Sequence, residues 1–100
     1  MKQEFFVQPD HITVKLKNEL YIDDASSLRD QLLTYTDKGY NNFLLDLKEL
    51  TYIDSAGLGV IIGIHKRAFN NGGKVVIEGI QGPVKEIFEL TRLTKVFEIH

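Results

Sequence analysis

Two short apolar runs, Phe43-Leu44-Leu45-Asp46-Leu47 and Val75-Val76-Ile77, most tightly limit what this chain can fold into. Both are too short for helices. The first is apolar on both sides, the mark of a central strand covered on both faces. Between them, Leu58, Ile61, Ile62, His65 and Phe69, with Ala68 beside them, recur at helical spacing, which predicts a helix over about 57–70. Asn71-Gly72-Gly73 ends it. Strand, single helix, strand favours parallel pairing through a right-handed crossover.

The same alternation extends both ways. Phe5 and Val7, then Ile12, Val14 and Leu16 beyond a Pro9-Asp10 turn signal, alternate with polar residues. This is the period of half-buried strands, here an antiparallel pair. Ala25, Leu28, Leu32 and Tyr35 predict a helix at about 25–37, with Asp23 and Asp24 capping its start and Gly39 ending it. Gly82-Pro83 opens a third helix whose apolar face is Val84, Ile87 and Phe88, and a short strand follows at Val96 to Ile99. The predicted object is one α/β domain over residues 1–100. It has a mixed, mostly parallel sheet of about five strands with about three to four helices.

Composition excludes several kinds of chemistry. There is no cysteine, so disulfides, thiolate nucleophiles and zinc–thiolate sites are out. The net charge of −2 and the scattered Lys and Arg give no electrostatic case for nucleic acid. No run approaches the roughly 20 apolar residues of a membrane span, and residues 1–9 lack the apolar core of a signal peptide. The expected location is the cytosol, with no membrane partner. His11, His65 and His100 lack metal-ligand spacing, and His65 reads as a core-edge residue rather than a ligand.

In open α/β sheets, sites lie beyond the carboxyl ends of strands, at helix N-termini. The segment Asp54-Ser55-Ala56-Gly57-Leu58-Gly59-Val60 stands at such a junction. Free amides and partial positive charge at a helix start would tolerate a phosphoryl group on Ser55. Gly57, Gly59 and Gly63 keep the backbone bare for a partner or bulky ligand, and Val60 falls off the apolar face, a modest interface signal. On chemistry alone, Ser55 reads more readily as a helix N-cap than as a switch, and the glycines can be packing devices. The spacing Gly57-x-Gly59-x-x-x-Gly63 misses the dinucleotide fingerprint, lacks the Lys-Ser/Thr of a phosphate-binding loop, and no nucleophile elbow is present.

The run Asp54 to Val60, followed by Gly63 and Lys66-Arg67-Ala68, resembles the signature of STAS domains, above all the stand-alone bacterial anti-sigma factor antagonists. Asn18-Glu19-Leu20 resembles the family's Gly-Glu-Leu, Leu44 to Leu47 its central strand, and Gly73 to Ile77 and Val84 to Ile99 its last elements. The resemblance implies a non-enzymatic switch. Ser55 would be phosphorylated by a partner that is both serine kinase and anti-sigma factor. The unphosphorylated form would bind that partner and free a sigma factor. A PP2C-type phosphatase would reset it. Nucleotide and magnesium would belong to the partner, so no cofactor is expected here. The implied contact residues are Tyr21, Asp23 and Asp54 to Val60. Tyr21 stands where the family usually has Asp, with Asp23 or Asp24 as substitutes nearby. Gly63-Ile64-His65-Lys66 replaces the frequent Gly-Arg-Tyr-Lys, and the chain stops at His100 where many relatives carry a further helix. A STAS module of another assembly, such as a stress-sensing complex or a lipid-transport system, and a small-ligand or nucleotide-binding module are the competing readings.

Overall fold

The computed structural model describes residues 2–100. In chain order the elements are β1 (Lys2–Val7), β2 (Ile12–Leu20), α1 (Ile22–Asp37), β3 (Asn42–Ile53), α2 (Ser55–Asn70), β4 (Lys74–Glu78), α3 (Gly82–Leu90), a 3₁₀ turn (Leu93–Lys95) and β5 (Glu98–Ile99). The strands lie side by side in sequence order as a five-stranded sheet. Only β1 and β2 are antiparallel; the other neighbours are parallel. This is the mixed α/β architecture that the alternation of elements predicts.

Strand order has a consequence for the layers. Each right-handed crossover steps to the next strand in the same direction, so every helix falls on one face of the sheet. Burial agrees. Ile12, Val14 and Leu16 of β2, Phe43, Leu45 and Leu47 of β3, and Val75 and Ile77 of β4 are buried, one parity on each strand. The opposite parity is half-buried at Thr13, Lys15, Leu44, Val76 and Glu78, with Asp46 of β3 buried on it, at 8% exposure. The expectation that the central strand is covered on both faces is therefore corrected. The open face is instead crossed by charge pairs, Lys17 with Glu4 at 3.2 Å and Lys48 with Glu78 at 3.6 Å.

β3 is longer than its apolar run suggests. Past Leu47 its pairing with β2 continues through two register shifts, ending with Glu19 opposite Tyr52 and Leu20 opposite Ile53. Asn18, at φ 70°, takes the left-handed conformation at the second shift, which asparagine tolerates well. Ile53 thus ends the strand. At the other end of the chain, Arg92 is also left-handed and the 3₁₀ turn follows, so the last strand is only Glu98–Ile99 and Val96 is exposed.

The buried face of α2 also differs from the expected one. It comprises Gly57, Leu58, Val60, Ile61, Ile64 and Ala68, while Phe69 is 69% exposed. The helix packs against α1 as well as the sheet, so its covered arc is rotated toward α1. Val60, expected to stand off the apolar face, is buried by that rotation.

Candidate functional site

β2 and β3 end together, and the helices that follow them start together. The Asp54 amide donates to the Leu20 carbonyl at 3.1 Å, fixing the two strand ends. Asp54 then has extended backbone, and its carbonyl accepts the first bond of α2 from Leu58 at 3.0 Å. Its carboxylate does two things at once. Oδ1 accepts from the Gly57 amide of α2 and Oδ2 from the Ile22 amide of α1, each at 2.9 Å. One side chain therefore caps two helices, satisfying a donor at each start that would otherwise be orphaned.

This corrects two expectations. Asp23 and Asp24 lie in the first turn of α1, where they suit its positive end. The Ile22 amide at that helix start is nevertheless served by Asp54 from across the junction. The N-cap of α2 is Asp54, and Ser55 is the first helical residue. Relieved of capping, Ser55 is exposed, its hydroxyl bound to no protein group among the described residues.

The glycines divide into two kinds. At Gly57 an added Cβ would lie 2.7 Å from Leu20 Cγ and 2.9 Å from Ile53 Cγ1. Its bareness lets α2 close on the strand ends. At Gly59 and Gly63 a Cβ would meet nothing within 4 Å. Their bareness serves no packing inside the domain.

Aromatic side chains flank the junction. The Tyr21 and Tyr52 rings sit 5.6 Å apart in a tilted pair. The Tyr21 hydroxyl donates to the Glu19 carboxylate. That bond, helped by partial burial and the neighbouring negative charge, pushes the phenol up to about 12. Tyr21, Tyr52 and Ile22 are all exposed and form an apolar rim beside Asp54.

Of the residues singled out in the sequence, Tyr21, Asp23, Asp54, Ser55, Ala56 and Gly59 are brought to this one corner with some surface free. Gly57, Leu58 and Val60 are buried and act as scaffold. Ile22 and Tyr52 were missed. An apolar residue directly before two aspartates, and a tyrosine two residues before Asp54, are the signals that mark them.

Elsewhere, His65 packs on Phe97 with ring centroids 4.7 Å apart and its Nδ1 is buried without a partner. Burial pushes its pKa down, as suits a core-edge histidine. Among the described residues no three His, Asp or Glu side chains gather to hold a metal. No helix among them is long and apolar enough to cross a membrane.

Comparison with known proteins converges on one family. The sequence profile of the STAS domain matches residues 3–100. The anti-sigma-B factor antagonist of Listeria monocytogenes is 31% identical over 90 residues, 90% of this chain and 79% of that protein. The crystal structure of a candidate anti-sigma factor antagonist from Thermotoga maritima superposes with a TM-score of 0.91 at 28% identity, covering 97% of this chain and 84% of that one. The anti-sigma factor antagonist SpoIIAA in its unphosphorylated form shares the fold, with a TM-score of 0.88 at 16% identity over 99% of this chain and 88% of that one. With the profile running almost end to end over a sheet and junction of this geometry, the chain belongs to the STAS domain family.

Proposed function

We propose that this chain is an anti-sigma factor antagonist whose binding is switched off by phosphorylation of Ser55. The observation that carries the reading is the division of labour at the junction. Asp54 holds both helix starts, so the neighbouring serine is exposed and free for chemistry without cost to the fold.

The reaction belongs to the partner. An anti-sigma factor with serine kinase activity transfers the γ-phosphoryl group of ATP to Ser55 Oγ. An O–P bond forms, the bond to ADP breaks, and the hydroxyl proton passes to a base of the kinase. The product adds about −1.5 to −2 charges at the start of α2. The helix amides offset part of that charge. Asp54, one residue away, opposes it. A partner surface fitted to the neutral serine and the apolar rim of Tyr21, Ile22 and Tyr52 then meets a hydrated dianion and lets go. A PP2C-type phosphatase hydrolyses the ester and restores binding.

The test is incubation with the serine-kinase anti-sigma factor encoded in the same genome, with ATP. One phosphate is expected, absent in Ser55→Ala. Ser55→Asp should weaken binding at unchanged stability. Phosphorylation persisting in Ser55→Ala, or full affinity in Ser55→Asp, would sink the reading.

A further inference from the structure

Beside Ser55 a trough runs between α1 and α2. It consists of two adjoining hollows of about 380 and 240 Å³. Ile22, Ala25 and Ala56 wall the first, Leu33 and Ile64 the second, and Arg29, Gly59 and Val60 belong to both. The lining is mostly apolar. Two features of it are unexplained by the fold. The surfaces of Gly59 and Gly63 are open, so no internal contact requires glycine at either position. Arg29 is exposed and makes no ion pair among the described residues, whereas Arg67, at the far end, is held by Asp37 at 3.2 Å. An unpaired guanidinium over an apolar trough asks for a carboxylate that the domain does not supply.

Resting on the reading of the chain as an anti-sigma factor antagonist, we infer that this trough seats an amphipathic helix of the anti-sigma partner, its apolar ridge against Gly59 and Gly63 and an acidic side chain against Arg29. The dimensions suit a helix. From Ala56 to Arg67 the trough follows about three turns of α2, roughly 16 Å. A bare backbone lets a second helix approach closely, as small residues do wherever helices touch. An occupant seated there also ends one residue from Ser55, where a phosphate would obstruct it.

Calorimetric titration of this protein with the purified serine-kinase anti-sigma factor of the same genome tests the inference. Gly59→Phe fills the trough and Arg29→Glu reverses its charge. Each should weaken binding about tenfold or more, while Arg29→Lys stays within about threefold of wild type. Urea midpoints, which should stay near wild type, separate lost docking from lost folding. Should Gly59→Phe unfold, Gly59→Ala with Arg29→Glu carries the same test. Wild-type affinity in Gly59→Phe and Arg29→Glu, with Ser55→Asp still weakened, overturns the trough and leaves the switch standing. No binding by wild type overturns both. Sedimentation at rising concentration covers the other occupant: self-association lost in Gly59→Phe, with anti-sigma binding intact, would assign the trough to a second copy and overturn the inference.

Discussion

The residue that organises the junction is Asp54, and its two hydrogen bonds make its substitution diagnostic. Asp54→Ala removes an acceptor from the start of each helix. Losing one cap costs roughly 0.5–2 kcal/mol, so the double loss should exceed what any ordinary exposed substitution does. Urea denaturation checks this; a midpoint unchanged by Asp54→Ala would mean that the bridge between the helices carries no stability. The glycines give a second, opposed pair. Gly57→Ala drives a methyl group into Leu20 and Ile53 and should destabilise by about 1–3 kcal/mol. Gly59→Ala meets nothing and should stabilise by up to about 0.8–1 kcal/mol through helix propensity. Equal midpoints for the two variants would contradict the distinction. The sequence displays three glycines in one helix start but not this difference. Whether a Cβ has room depends on Leu20, which lies 37 residues earlier and arrives only through the strand register. Asp54 as a cap was obscured for the same reason, since Ile22 reaches it only in the folded sheet.

Elements were legible where one short period dominates. The antiparallel start, the parallel order and all three helices follow from spacing alone. The last six residues of β3, Lys48–Ile53, were not legible, because their pairing with β2 is broken by two shifts that scramble the alternation. The buried arc of α2 was misjudged because a helix wedged between a sheet and a second helix has two neighbours. Periodicity reports the strongest apolar stripe, not how far a second neighbour rotates the covered arc. That rotation can be measured. Val60→Ala should destabilise by roughly 1–2 kcal/mol, as truncation of a buried branched side chain does. Phe69→Ser, at a position 69% exposed, should stay within about 0.5 kcal/mol of wild type. The reverse order would restore the face centred on Phe69.

At the scale of the whole molecule, His65 joins elements that the strand pairings barely link. It packs at a tilt on Phe97, which packs on Phe88 of α3, so α2, α3 and the approach to β5 meet at one imidazole. Burial lowers its folded pKa below the ordinary histidine value of 6.5. The unfolded chain therefore takes up a proton that the folded chain resists. Stability is at its plateau above that value, declines as pH falls below it, and levels off once pH passes the folded pKa. Asp10 and Glu98 act lower down. Hydrogen bonds from His11 to Asp10, and from Lys74 and His100 to Glu98, hold both carboxyls below their usual values. What they contribute is present above the ordinary carboxylate range and is lost as pH falls through it. Two acid limbs are expected, and His65→Phe should flatten the upper one while leaving the lower. Urea midpoints measured from pH 8 to pH 3 would resolve them. An upper limb that persists in His65→Phe would show that it does not arise at His65, and the aromatic cluster would then be a packing feature without a titration of its own.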